Sequence, residues 1–195
     1  MNLPLSGVRI LDLTQILAGP YCTLILGDLG AEVIKVERPD GGDAARGTPP
    51  HYVEGESAYF ISMNRNKKSM TLNLESETGR KLFYRLVNLS DVVVSNLRPG
   101  AIERLKVDYD TLKTLNPRII SCVISGYGQT GPWKTYPAFD GIIQARGGIM
   151  SFTGEPGRPP VRILRAARGA TGATGRQTYH RPEPDSIRAS SGARN

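Results

Sequence analysis

Residues 5–38, LSGVRILDLTQILAGPYCTLILGDLGAEVIKVER, constrain the fold more than any other stretch, because they read as strand, turn, helix and strand in one compact run. Val8, Ile10, Leu11 and Leu13 form a short apolar run rich in branched side chains, bounded by Gly7 on one side and by Thr14 and Gln15 on the other. That is the pattern of a buried strand. Pro20 suits the first turn of a helix, where its missing N–H costs nothing. Tyr21, Leu24, Ile25 and Leu29 then follow helical spacing, and Gly30 predicts a left-handed stop. Val33, Ile34 and Val36 supply the second strand, which ends at Glu37 and Arg38. Two strands joined through a helix in this way are parallel and connected with a right-handed crossover. A ligand site in such a unit belongs at the carboxyl ends of the strands, here near residues 14–19 and Glu37–Arg38.

The turn after the first strand has two readings from its residues alone. It is either a plain connection or part of a binding site. A dinucleotide site needs glycines spaced G-x-G-x-x-G so that backbone can approach a pyrophosphate. TQILAGP carries one glycine, which argues against NAD.

The remaining chain repeats the alternation of strand and helix. The Gly-, Pro- and Asp-rich stretch at residues 39–57 is a loop. Met70, Leu72 and Leu74 alternate with Thr71 and Asn73, so residues 69–74 are expected to form a half-buried strand. Ser76 is placed to cap a helix over residues 77–89 with Leu82, Phe83, Leu86 and Val87 on its inner face. Val92, Val93 and Val94 form the next strand, followed at once by Asn96, Leu97, Arg98, Pro99 and Gly100. Helical pieces over residues 101–105 and 109–115 precede a strand at residues 119–124, which runs into the glycine-rich exit SGYGQTGP. Every strand therefore gives way to a polar turn. The pattern predicts a Rossmann-like, doubly wound, mostly parallel α/β sheet with a ligand crevice along one edge.

Charge and composition narrow the function classes. The net charge of +7 divides unevenly: residues 1–163 hold 19 basic and 16 acidic side chains, whereas residues 164–195 hold six arginines and two acids. A modestly basic body suits an anionic small molecule and does not call for nucleic acid. Cys22 and Cys122 fall in a predicted helix and a predicted strand and read as buried small hydrophobes rather than a disulfide. With only His51 and His180 beside them, no metal site is expected. Arg9 and Asp12 interrupt the first apolar run, so no signal peptide is expected. No charge-free run reaches the ~18 residues needed to span a bilayer, so no membrane contact is expected and the cytoplasm is the default setting. At the strand ends, Arg38, Arg98 and Arg104 can fork onto phosphate oxygens, Lys67 and Lys68 can act as point charges, and Asn96 can offer an amide. Taken singly, each of these is an ordinary solvated side chain.

The ordered series SGVRILDLTQILAGPYCTLILGDLGAEVIKVERPDGGDAARG resembles the opening of the family III CoA-transferases, the group typified by formyl-CoA and carnitine CoA-transferases. The helix beginning FDGIIQARGG resembles the D-x-x-x-Q-A-x-x-G segment of that family, and GYGQTGP ahead of it agrees. The resemblance spans residues 3–163 and implies the N-terminal, CoA-binding part of the family's large domain. It implies that Leu17 and Ala18, with Arg38, border the CoA site. It extends that site to Leu72, Asn73, Leu74 and Glu75, to Asn96, Leu97, Arg98 and Arg104, and to Pro137, Ala138, Phe139 and Asp140. Three positions depart from the pattern: Leu17 stands where some members have glutamine, and Glu75 and Pro137 stand where a lysine can occur. Related racemases place a catalytic histidine where this chain has Phe139, a side chain that cannot carry a proton.

By the same resemblance, CoA or acyl-CoA is a substrate rather than a resident cofactor, and the second substrate is a small carboxylic acid. An aspartate attacks the acyl-CoA thioester to give a mixed anhydride, which is resolved through an aspartyl-CoA thioester. An ungapped reading puts Gly169 at the aspartate's place, and glycine has no carboxylate. Asp185 lies too far along to replace it. Residues 164–195 contain only Leu164 and Ile187 as large aliphatics, so this tail is expected to be disordered, and its Ala/Gly/Arg/Thr bias has the look of a shifted reading frame. A basic nucleic-acid-binding tail is the other reading. The family forms an interlocked homodimer through segments that this sequence is read as lacking. The expectation is a truncated CoA-transferase without its nucleophile, or else a non-catalytic acyl-CoA-binding fragment.

Overall fold

The computed structural model describes residues 3–155 and 157–163, together with the backbone of residues 177–180. The opening unit forms as its sequence dictates: β1 (Arg9–Asp12), α1 (Ala18–Asp28) and β2 (Glu32–Glu37), with β1 and β2 parallel and Arg9 opposite Glu32. Gly30 stops α1 at φ 102°: its N–H donates to Gly27 O at 3.0 Å, and the Ala31 N–H donates to Leu26 O at 3.1 Å. This pair of bonds is a Schellman closure, which a residue with a Cβ adopts only at a cost.

A short hairpin, β3 (Tyr52–Val53) and β4 (Glu56–Ser57), leads into α2 (Ala58–Asn64) and then β5 (Lys67–Thr71). Next come α3 (Glu77–Val87), β6 (Val92–Ser95), α4 (Ala101–Arg104), α5 (Tyr109–Leu115), β7 (Ile120–Ile124) and α6 (Asp140–Arg146). Ser76 caps α3 by accepting the Gly79 N–H at 3.0 Å, as its sequence position predicts. Asp108 does the same for α5.

The main sheet runs β5-β2-β1-β6-β7-β8, where β8 is Gln177–His180. The first five strands are parallel and β8 is antiparallel to β7. The chain thus builds outward from β1 on one side and returns to β6 on the other. Two cores follow, one on each face. Leu11, Val36, Phe83, Val93, Leu112 and Ile119 pack under α3 and α5. Ile10, Val33, Val94, Cys122 and Ile124 pack with residues of α1 on the other face.

Several expectations shift. The strand expected at residues 69–74 is β5, displaced toward its start because Lys67 already pairs with Val33. The loop over residues 39–57 contains a 3-10 turn (Ala44–Gly47) besides the hairpin. The expected disorder of the tail falls on residues 164–176 and 181–195, outside the described residues. Between them the backbone of Gln177–His180 covers the outer edge of β7, an element that its composition did not predict. Cys22 and Cys122 are both free thiols, and burial pushes Cys122 up to about 12. No helix among the described residues is long and apolar enough to cross a membrane.

Candidate functional site

The strand order reverses between the parallel neighbours β1 and β6, and the turns that follow these two strands diverge there. A crevice of about 1010 Å³ opens at that point, bounded by the turn after β1, the turn after β6 and the end of β7. Crevices at a topological switch point are where open α/β sheets bind ligands, and the volume suits a ligand at the large end of the small-molecule range.

The turn after β1 takes its shape from side chains. Thr14 N donates to Asp12 Oδ1 at 2.8 Å, and Thr14 O accepts from Lys35 Nζ at 2.7 Å. Gln15 N donates to Asn96 Oδ1 and Gln15 O accepts from Asn96 Nδ2, both at 2.8 Å. Ile16 N donates to Asp43 Oδ1 at 3.0 Å. Ile16 sits at φ 69°, a left-handed conformation that a β-branched residue adopts only under constraint. Gly19 completes the turn: a Cβ there would lie 2.3 Å from Thr14 Cβ.

Beneath the turn lies a buried charged layer. Lys35 pairs with Asp43 at 2.9 Å and Lys67 with Asp12 at 3.0 Å, all four side chains being almost wholly enclosed. Asp12 also accepts the hydroxyl protons of Thr14 and Thr23. Beside it, Glu37 accepts a two-pronged contact from Arg46, a proton from Ser69 and the Asp43 N–H. Burial pushes the Glu37 carboxyl upward, but the Arg46, Ser69 and Asp43 donors outweigh it and hold the group at about 2. Burial lowers the Lys67 ammonium from its ordinary value, against the pull of Asp12.

The structure brings most of the expected residues together. Leu17, Ala18 and Arg38 border the crevice on one side, and Asn96, Leu97, Arg98 and Arg104 on another. Pro137, Ala138, Phe139 and Asp140 close it. Arg38 donates through Nε to Gly42 O at 3.2 Å. Among the described residues, Arg38, Arg98, Arg104 and Lys134 line the crevice with one carboxylate, Asp140, so its lining is cationic.

Other residues stand elsewhere. Leu72 is core, its N–H bonded to Glu37 O, while Asn73 turns its side chain to the Glu75 N–H. Leu74 packs on the core under α3, and Glu75 reaches only the rim, 3.9 Å from Arg104. None of these four lines the crevice. The role expected for Lys67 and Lys68 as charges facing a ligand is wrong. Both lie at the amino end of β5, where Lys67 is spent on Asp12 and Lys68 bonds Glu32. Asn96 does border the crevice, but its amide is committed to Gln15.

Sequence reasoning missed Lys134 and Tyr136, which lie in the loop after the glycine-rich exit and share the lining. Nearby, the Arg146 guanidinium stacks 4.2 Å over Trp133, which meets Tyr127 edge-on at 5.8 Å. Tyr136 and Phe139 are about half exposed or more and offer flat apolar faces to the crevice. The D-x-x-x-Q pattern has a mechanical reading. Gln144 donates to Asp140 Oδ2 and, fully buried, holds Ile163 by both backbone groups, accepting its N–H at 2.9 Å and donating to its carbonyl at 3.2 Å. Gly169 lies outside the described residues.

Comparison with known proteins gives consistent matches. The model of CoA-transferase family III matches residues 5–173. Succinyl-CoA:glutarate CoA-transferase of Mus musculus is 48% identical over 159 residues, covering 82% of this chain and 36% of the mouse protein. Acetyl-CoA:oxalate CoA-transferase of Acetobacter aceti is 48% identical over 160 residues, covering 82% of this chain and 41% of the bacterial protein. Among solved structures, a CAIB/BAIF family protein from Brucella suis superposes with a TM-score of 0.81 at 43% identity, over 89% of this chain and 48% of that one. The chain thus spans well under half the length of the curated relatives it matches.

Proposed function

Because the chain belongs to CoA-transferase family III, we propose that its crevice binds the CoA portion of an acyl-CoA, and that the activity it serves is transfer of CoA from a thioester to a small carboxylic acid. The observation that carries this reading is the cationic crevice at the β1–β6 switch point, with Arg38, Arg98, Arg104 and Lys134 along its walls. Guanidinium forks suit phosphate oxygens, and the apolar faces of Tyr136 and Phe139 suit a base or an acyl group. The relatives named above support the reaction class through their names. CoA enters as substrate, and no resident cofactor is part of the proposal. A cytoplasmic setting rests on the absence of a recognisable signal or spanning run in this sequence, and a homodimeric complete protein on the resemblance alone.

The proposed chemistry needs an ionised carboxylate beside the thioester carbonyl. Gly169, at the expected place, has none. We therefore assign to this chain binding of acyl-CoA without transfer. The alternative of racemisation is disfavoured by Phe139, which has no proton to give. Titration calorimetry with CoA on the full chain tests the reading. Arg38→Ala is expected to weaken CoA binding at least tenfold, and unchanged affinity would remove the assignment. Incubation with an acyl-CoA and a dicarboxylate is expected to leave the thioester intact, so observed exchange would refute the loss of the nucleophile.

A further inference from the structure

The turn between β1 and α1 is unusual in how its backbone is satisfied. From Thr14 N to Ile16 N, five backbone polar groups bond to side chains: those of Asp12, Lys35, Asn96 and Asp43. These side chains arrive from β1, β2, the turn after β6 and the loop after β2. The result is a left-handed Ile16, a conformation that persists only where its surroundings over-determine it. Gln15 and Ile16 line the crevice together with the next residues, Leu17 and Ala18.

Three of the four holders, Asp12, Lys35 and Asp43, do not line the crevice, and the last two form one ion pair. Lys35 and Asp43 are each about 1% exposed and pair at 2.9 Å, and neither lines the cavity. Lys35 Nζ grips the turn at Thr14 O, and Asp43 Oδ1 grips it at Ile16 N while also holding Ala45 N at 2.9 Å. One ion pair thus ties the turn after β1 to the loop after β2, and fixes Leu17 and Ala44 beside each other on the same side of the crevice. A buried pair of this kind is weak as a source of net stability, because desolvation offsets attraction. Its geometry is better accounted for by positioning.

We propose that the buried Lys35–Asp43 pair is a positioning device that holds residues 14–17 in their left-handed turn and thereby sets the affinity of the crevice for a CoA thioester. The inference rests on the CoA reading given above. It adds two residues that act through the turn rather than by contact with ligand.

The test uses the full chain and two charge-neutral variants, Lys35→Met/Asp43→Leu and Lys35→Met/Asp43→Asn. Neither leaves an orphaned buried charge, and the second keeps an acceptor for the Ile16 N–H. Two quantities are measured on each: CoA affinity by calorimetry, and amide hydrogen exchange of a peptide spanning residues 13–18. The Met/Leu variant is expected to exchange at least tenfold faster in that peptide, with peptides from β6 and β7 unchanged, and to bind CoA at least tenfold more weakly. The Met/Asn variant is expected to recover part of both. Retained folding with unchanged affinity and unchanged exchange overturns the proposal and leaves the CoA reading intact. If wild-type chain gives no CoA binding while exchange still responds to the variants, the CoA reading falls, and the pair stands as a holder of the turn only. Equal losses in β6 and β7 peptides mark the pair as a general fold element and overturn the positioning role.

Discussion

The two walls of the crevice are built on opposite plans. The wall from residues 12–46 rests on buried charge: Asp12, Lys35, Glu37 and Asp43 are each 5% exposed or less, and they fix a backbone turn through their hydrogen bonds. The wall from residues 125–140 rests on glycine turns and exposed rings, with Phe139 64% and Tyr136 52% exposed. The first wall has its shape before any ligand arrives. The second presents apolar area that only a ligand or a neighbouring segment would cover. Buried charge thus fixes the shape of one side of the cleft, and exposed rings line the other.

The largest test of this contrast is Asp12→Ala. It leaves Lys67 buried without its counter-charge and frees Thr14 N and two hydroxyls. A loss of about 3–5 kcal/mol is expected in urea unfolding. A loss below about 1 kcal/mol would mean that the first wall is not held by its charges.

A somewhat smaller effect is expected from acid. The Glu37 carboxyl goes from 4.5 to about 2 on folding, so between those values the unfolded chain binds more protons than the folded one. Its contribution is complete above about pH 4.5 and fades as pH falls toward 2, amounting to about 3 kcal/mol over the whole window. Comparing urea midpoints at pH 5 and pH 3 reads this out. Glu37→Gln should flatten the difference, and an undiminished difference would place the acid sensitivity elsewhere.

The smallest effect on stability belongs to the second wall. Phe139→Ala should change unfolding by less than about 0.5 kcal/mol, because the ring is mostly in solvent. The same change should weaken CoA binding several-fold, consistent with about 1 kcal/mol of lost ring contact. A stability loss without an affinity loss would mean that this ring serves the fold rather than the crevice.

The first wall was also the less legible one. The strand–helix–strand unit could be read because branched apolar runs, Pro20 and Gly30 each act locally. The place of the crevice followed from the alternation of elements. The buried charges could not be read. In EVIKVE, Lys35 looks like the polar member of an alternating strand, and nothing local announces an acid eight residues later in a Gly/Asp loop that folds back over it. Lys67 and Lys68 looked like ligand-facing charges because sequence does not give the register that puts them at the amino end of β5. Asn96 was legible as a crevice residue but not as a clamp, since its partner lies 81 residues away. The rim residues Lys134 and Tyr136 carry no local signal beyond following a glycine-rich turn.

The grip of Gln144 on Ile163 has a consequence for protein construction. Two hydrogen bonds fix where the backbone stands at Ile163, next to a helix that itself starts at the crevice. Anything spliced on after that residue therefore starts from a defined anchorage. A segment grafted there sets out from a fixed point, which makes this position a natural junction for chimeras.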